Sequence, residues 1–253
     1  MVDHLITGIP LKDMDPALLA QAVRAHATAV GHNGDDIEKA IALAAYVHRD
    51  QVRNNRGELP KTPYIEHPLR NAARLYRWGV TDQAMIIAEI LHDTVEDGAH
   101  AIAVDICGAS DDVSTAAARE IALEHITAEF GPVVGEIVAR MTNPLYPSGR
   151  TVTEKHEQYR ADVRRECEDP RVAVNKFADF ADNGVGLHHN DTGVNDSKVE
   201  ELAAKYYPLI PYWWERLARN DVAALISADG WQSMRNNLAT AELELGRIVA
   251  RSE

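Results

Sequence analysis

The stretch Ile86–Asp97 is the feature that most constrains the fold and chemistry of this chain. It begins as an apolar helical run and ends in His92-Asp93 and then Glu96-Asp97. Imidazole is a borderline ligand and carboxylate a hard one, so an adjacent His-Asp pair suits a divalent cation held by nitrogen and oxygen. If the helix continues for one more turn, Glu96 stands over His92 and Asp97 over Asp93. The stretch therefore predicts a metal site with carboxylates beside it.

Composition excludes several classes of protein. The chain has 253 residues, 45% of them hydrophobic, and a net charge of −13. A general nucleic-acid binder would need a basic face, so we expect no nucleic-acid partner. Cys107 and Cys167 are too few for a disulfide framework and are predicted to be reduced thiols. We find no signal peptide and no apolar run near the roughly 20 residues of a membrane span. We therefore expect a cytoplasmic protein without a membrane partner.

The pattern of apolar residues predicts an all-α fold, a single helical bundle with the metal site in its core. Apolar positions recur at spacings of three and four along most of the chain, and we identify no strand. Prolines and a glycine predict a loop at 53–66. We expect a helical lead at 1–34, a main domain at 35–218 and a C-terminal helical extension at 219–253. The segment at about 98–120 is interpreted as an insertion.

Two further residues are candidates to complete the metal site. His67 lies before Pro68 and after a stiff Pro63-Tyr64-Ile65 segment, so its position is well fixed; the alternative is a capping or surface histidine. Asp179 lies within an apolar helix, where an unpaired carboxylate is costly. Its alternative partner is Lys176, three residues earlier. Two histidines and two aspartates would leave positions open for water and substrate.

Local basic residues indicate a phosphate ligand despite the acidic total. Arginine binds phosphate oxygens through two parallel hydrogen bonds. We prefer this role for Arg53, which lies in the loop that leads to His67. For Arg70, Arg74 and Arg77 we prefer solvated helix faces. His48 lies on the inner side of its helix and is predicted to be a core histidine or a neighbour of the ligands, rather than a ligand.

Taken together, these motifs resemble the HD-domain hydrolases of the RelA/SpoT type, most closely the stand-alone small alarmone hydrolases. The resemblance covers roughly residues 35–218. The matching segments, in the family's order, are Ala45–His48, Gln51–Arg53, Gly57–Glu58, Pro63–Leu69, His92–Asp97, Phe130–Gly131 and Lys176–Asp179 with Asn183. The chain length leaves no room for the synthetase domain of the bifunctional members.

The resemblance implies a manganese ion held by His67, His92, Asp93 and Asp179, although other divalent cations stay open. It implies that Glu96 and Asp97 handle the attacking water and the proton transfers. The implied reaction removes pyrophosphate from the 3′ position of guanosine tetra- or pentaphosphate. Six residues are expected to contact the nucleotide: Arg53, Arg56, Lys61, Tyr64, Lys176 and Asn183.

Three functions remain open from the sequence. The first is the alarmone hydrolase. The second keeps the same chemistry on another phosphorylated nucleotide, such as an adenosine analogue or a nicotinamide dinucleotide phosphate. The third is a non-catalytic nucleotide sensor. The C-terminal helix, with Leu238, Leu243, Leu245 and Ile248, is expected to pack either on the core or on a second copy, as in a homodimer.

Overall fold

The computed structural model of the chain describes residue 6 and residues 8–53, 62–190 and 197–252, except for the side chains of 188–190. These residues are predominantly α-helical, so the predicted all-α fold is confirmed. They form two compact units. The first contains the described residues up to 145 except 77–80, and the second contains 77–80 and the described residues from 146 onward. No helix within these ranges is long and apolar enough to cross a bilayer.

The first unit is a set of helices with one short hairpin. Its elements, after a 3₁₀ turn at Leu11–Asp13, are α1 Pro16–Val30, α2 Gly34–Val47, β1 Val52–Arg53, β2 Thr62–Pro63, α3 Glu66–Arg77, α4 Gln83–Leu91, α5 Thr94–Ala101, α6 Thr115–Phe130 and α7 Pro132–Met141. A π-helical turn at Ile102–Ile106 follows α5. Neighbouring helices pack α1 on α2, α2 on α4 and α5, α4 on α7, and α6 on α5 and α7.

Local sequence signals account for the helix starts in this unit. The Asp15 side chain accepts a hydrogen bond from the Leu18 N–H at 2.8 Å, and Pro16 occupies the first helical position of α1. Asn33 caps α2, and Asp82 caps α4 by accepting from the Ala84 N–H at 2.9 Å. Short polar side chains at these positions satisfy backbone N–H groups that lack partners within the helix. The cap at Asp82 therefore fixes where α4 starts and hence where His92, just after its end, lies.

The second unit consists of the C-terminal helices. Its elements are α8 Val152–Glu166, α9 Pro170–Asn183, a 3₁₀ turn at Val185–Asn190, α10 Ser197–Tyr206, a 3₁₀ turn at Tyr207–Leu209, α11 Ile210–Leu217, α12 Asn220–Ala223 and α13 Ala228–Ser252. Phe177 of α9 packs against Trp213 of α11, with ring centroids 5.2 Å apart. Both rings are fully buried, which makes this aromatic cluster the core of the unit.

The C-terminal helix packs within its own unit. Leu238, Leu245 and Ile248 of α13 are buried, while Leu243 is 54% exposed. The helix contacts α9, α10 and α11. The apolar face of α13 is therefore covered by the same chain, and a homodimer stays a prediction with no support from this face.

One expectation, that the chain has no strand, needs correction. Val52–Arg53 and Thr62–Pro63 pair as antiparallel strands, so the segment predicted to be irregular begins and ends in a small hairpin. Pro63 is compatible with this because a strand with no second neighbour leaves half of its N–H groups outside the ladder. The segment interpreted as an insertion includes the end of α5 at Ala101 and the π-helical turn that follows, and its interpretation as an insertion stays a prediction.

Candidate metal centre

Three predicted ligands lie together in the first unit. One ligand atom from each of His67, His92 and Asp93 lies within 4.8 Å of the others. The Asp93 Oδ2 atom is 3.1 Å from Nε2 of His92 and 3.5 Å from Nε2 of His67. Both imidazoles are buried, and Asp93 is largely so. Two imidazoles and a carboxylate at this spacing fit a divalent transition metal.

The end of α4 sets the orientation of His92. Its Nδ1 donates a hydrogen bond to the carbonyl oxygen of Glu89 at 2.8 Å. This assigns the proton to Nδ1 and leaves the lone pair on Nε2, the atom that faces Asp93. The Glu89 carboxylate is fully buried, and its Oε1 lies 4.0 Å from the same Nδ1. The helix thus turns the imidazole so that its lone pair points to the cluster.

Tyr64 connects the hairpin to the ligands. Its carbonyl oxygen accepts the His67 N–H at 2.9 Å, and its hydroxyl donates to Asp93 Oδ2 at 2.7 Å. Burial opposes ionisation of Asp93, but in the metal-free protein the positive charge of protonated His92 and His67 rings and the hydrogen bond from the Tyr64 hydroxyl outweigh it and hold the pKa of Asp93 well below its usual range. Asp93 is therefore an anion over the whole physiological range. Tyr64, expected to contact the nucleotide, instead holds the carboxylate of Asp93, a predicted metal ligand, through this hydrogen bond.

The arginines of α3 correct the prediction of solvated helix faces. Arg70 and Arg74 are buried. Arg70 donates to Glu66 Oε2 at 3.0 Å and to the Leu11 carbonyl oxygen at 3.2 Å. Arg74 donates to Asn71, whose side-chain amide lies 3.5 Å from Nε2 of His67. Helical periodicity gave no sign of this because it cannot tell whether an arginine has polar partners within the protein.

Glu96 is held by two residues that are distant in sequence. Its Oε2 accepts the backbone N–H of Asn143 at 2.9 Å, and its Oε1 accepts the Asn143 side-chain amide at 3.1 Å. Arg119 of α6 donates to the carbonyl oxygen of Asn143 at 2.7 Å and to that of Glu96 at 3.4 Å. We call this arrangement the Glu96 clamp. Both carboxylate oxygens of Glu96 are therefore fixed in position.

Asp97 follows Glu96 but has different surroundings. Its side chain reaches solvent, yet the protein around its carboxyl group removes part of the hydration. This loss of hydration, together with the negative charges of Asp93 and Glu96, raises the pKa of Asp97 to about 6. A carboxyl group with a pKa near neutrality can both accept and release a proton.

The sequence analysis missed the Glu96 clamp. Arg119 lies on α6, the next α-helix after that of Glu96, and Asn143 lies just after α7, two helices further along the chain. Spacing rules apply to residues within one helix, so they give no signal for contacts between helices. The one available hint was the loop after Met141, where a side-chain amide follows a helix end.

The remaining described candidates are divided between the two units. The Cζ atom of Arg53 lies 6.0 Å from the ring centroid of Tyr64. Asp179 and Asn183 belong to the second unit, where the Asn183 amide donates to Asp179 Oδ1 at 2.6 Å and Lys176 is buried. Their predicted roles toward the metal and the nucleotide stay predictions. Arg56 and Lys61 lie outside the described residues.

In sequence, the chain is similar to enzymes named as pyrophosphohydrolases or pyrophosphokinases of guanosine nucleotides. It is 31% identical to the guanosine-3′,5′-bis(diphosphate) 3′-pyrophosphohydrolase of Aquifex aeolicus over 151 residues, which are 60% of this chain and 18% of that protein. It is 31% identical to the GTP pyrophosphokinase of Streptomyces coelicolor over 173 residues (68% and 17%) and 28% identical to the GTP pyrophosphokinase rsh of Brucella ovis over 212 residues (81% and 25%).

These relatives are enzymes of the RelA/SpoT type, and the chain is similar to one segment of them. It spans between 17% and 25% of their length. No family model matches the chain.

Proposed function

We propose that the chain is a metal-dependent phosphohydrolase that removes the 3′-pyrophosphate from guanosine tetra- or pentaphosphate. The products are GDP or GTP and pyrophosphate. The observation that carries the proposal is the buried cluster of His67, His92 and Asp93, with Glu96 and Asp97 on the next turn of the chain. The name of the Aquifex aeolicus relative, a guanosine-3′,5′-bis(diphosphate) 3′-pyrophosphohydrolase, supports this choice of substrate.

The residues of the first unit fit a resident divalent cation, which we propose to be manganese. His67, His92 and Asp93 would hold it, and Asp179 is the proposed fourth ligand on the strength of the sequence resemblance. When bound, such an ion lowers the pKa of water and offsets negative charge on a phosphoryl group. Tyr64 keeps Asp93 oriented and ionised for this purpose.

Asp97 is proposed to accept the proton of the attacking water. The water oxygen forms a bond to the phosphorus, the bond from phosphorus to the 3′ oxygen breaks, and the proton passes to that oxygen. A carboxyl group with a pKa raised to about 6 is suited to this exchange near neutral pH. Glu96, fixed through both oxygens, orients the reacting groups and does not carry the proton.

The proposed nucleotide contacts extend from this centre. Arg53, beside the Tyr64 ring, is proposed to bind phosphate oxygens. Asn183 and Lys176 are proposed to contact the ribose and the phosphates, and Tyr64 to line the same site. Arg56 and Lys61 complete the set from the sequence alone.

A second candidate activity is pyrophosphate transfer to GTP, because two of the relatives carry the name GTP pyrophosphokinase. A buried His-His-Asp cluster with adjacent acids favours hydrolysis, since a transferase has no need to activate water. Hydrolysis of another phosphorylated nucleotide and nucleotide sensing without turnover are the remaining alternatives.

The deciding experiment measures pyrophosphate and phosphate release with added manganese. The substrates are guanosine tetraphosphate, its adenosine counterpart and a nicotinamide dinucleotide phosphate, with ATP plus GTP as the transferase assay. We expect pyrophosphate from the guanosine compound, abolished by a chelator and by His92→Ala. His100→Ala is the matched control, because His100 lies on α5 and is exposed. Turnover that survives both the chelator and His92→Ala would refute the proposal.

A further inference from the structure

His48 is a buried imidazole with a hydrogen-bond partner at one ring nitrogen and, among the described residues, none at the other. It follows the last residue of α2 and is 2% exposed. Its Nδ1 lies 2.7 Å from the side-chain oxygen of Gln51, which can only accept a hydrogen bond. The proton is therefore on Nδ1 and the lone pair on Nε2. That Nε2 atom is buried and has no hydrogen-bond partner among the described residues.

The surroundings of His48 tie it to the ligand cluster. Its ring packs against Tyr64, with centroids 4.8 Å apart, and Tyr64 also contacts the ring of His67, at 5.7 Å. The hydroxyl of Tyr64 donates to Asp93, so the His48 ring, Tyr64 and the predicted ligands form one continuous set of contacts. Burial lowers the pKa of His48, so the ring is neutral at physiological pH and its Nε2 is an acceptor.

A buried acceptor without a partner is costly, because it has lost its hydrogen bonds to water without replacing them. Native proteins keep such groups chiefly where a bound molecule satisfies them. We propose that Nε2 of His48 accepts a hydrogen bond from an O–H group held at the ligand cluster, either a water molecule or a hydroxyl of the substrate. His48 is thus a positioning residue of the site, with Gln51 fixing its tautomer. This inference rests on the metal site of the proposed function.

Two substitutions at position 48 separate the nitrogen atoms. In His48→Asn the side-chain amide can still donate to Gln51 but nothing occupies the Nε2 position. In His48→Gln an amide oxygen reaches that position and can accept. The readouts are manganese affinity by titration calorimetry, affinity for GDP in the presence of manganese, and the melting temperature of the metal-free protein. The control is His26→Asn, a half-buried imidazole that stacks on Tyr76 of the same unit.

We expect His48→Asn to weaken binding roughly tenfold, the effect typical of residues that support metal ligands, and His48→Gln to weaken it less. Weaker manganese binding without nucleotide identifies water as the O–H donor. Weaker GDP binding at unchanged manganese affinity identifies a hydroxyl of the nucleotide as the donor. The metal-free melting temperatures of the two variants should agree.

If His48→Asn binds both manganese and GDP as tightly as wild type does, the inference is wrong. It is also wrong if His48→Gln loses as much affinity as His48→Asn and the melting temperature of the metal-free protein falls as well. His92→Ala separates this from failure of the proposed function. If His92→Ala binds manganese as wild type does, the metal site itself is wrong. If His92→Ala loses manganese and His48→Asn does not, only the role of His48 is wrong.

Discussion

Glu96 and Asp97 are adjacent acids on one turn of α5, but their surroundings differ. Glu96 accepts hydrogen bonds at both oxygens from Asn143. Asp97 reaches solvent, and the pKa of its carboxyl group is raised to about 6. Sequence position brings both acids beside the ligand pair, whereas contacts from other helices decide what each can do. The comparison supports the proposal that Glu96 orients the reacting groups and that Asp97 transfers the proton.

The largest expected effect comes from Asp97→Asn. The variant keeps the size of the side chain and removes its ability to take a proton, so we expect kcat for pyrophosphate release to fall about 10²–10⁴-fold. Manganese affinity should change little. Asp105→Asn is the control, because Asp105 is an exposed acid of the same unit that accepts from Tyr46. Activity within a few-fold of wild type would move the proton-transfer role to Glu96.

The second prediction concerns Gly98, where a substitution should displace Glu96 and Asp97 together. A Cβ atom added at Gly98 would lie 2.1 Å from Cγ1 of Val47, a stiff β-branched side chain on α2. Gly98→Ala should therefore push α5 away from α2 and lower the free energy of unfolding by about 1–3 kcal/mol. We expect pyrophosphate release to fall with it. Chemical denaturation and the activity assay measure the two effects.

The double variant Gly98→Ala/Val47→Ala is the matched test of this steric cause. Removing the Val47 methyl groups makes room for the new Cβ, so the double variant should unfold at higher denaturant concentration than Gly98→Ala alone. If the change in the free energy of unfolding of the double variant equals the sum of the changes in the two single variants, the contact with Val47 is excluded as the cause.

The clamp gives a third, smaller effect. Asn143→Ala removes the side-chain donor but keeps the backbone N–H, so Glu96 loses one of two hydrogen bonds. We expect about 1–2 kcal/mol lower stability and a roughly tenfold lower kcat, since one bond to a charged acceptor is lost. Asn143→Asp sharpens the test, because two carboxylates would then face each other. Relative to wild type, its stability should fall further between pH 5 and pH 8, while that of Asn143→Ala should show the same pH dependence as wild type.

The sequence predicts what is local in this site. The His92-Asp93 pair, the two following acids and His67 before Pro68 are all legible from residue type and helical spacing, and so is the all-α fold. The clamp, the buried partners of Arg70 and Arg74 and the bond from Tyr64 to Asp93 join separate elements. Such contacts depend on how the helices pack, which apolar periodicity leaves undetermined. Asp179 lies in a separate unit, and its role as a ligand stays a prediction.

The smallest predicted effect is on the stability of the metal-free protein as pH changes. A carboxyl group whose pKa is raised to about 6 on folding binds its proton more tightly in the folded protein than in the unfolded chain. Its contribution to stability is therefore present at low pH and is lost as pH rises from about 4 through 6. Asp97→Asn removes this titration. The melting temperature of Asp97→Asn should therefore rise relative to wild type between pH 4.5 and pH 7.5.

We expect a relative rise of about 2–4 °C, the equivalent of about 1 kcal/mol in a chain of this size, because solvent screening reduces the effect at a side chain that reaches water. Glu96→Gln is the partner measurement. An amide at position 96 would set its NH₂ group against the donors of Asn143, so this variant should be less stable than wild type at every pH. A parallel pH response in both variants would remove the distinction between the two acids.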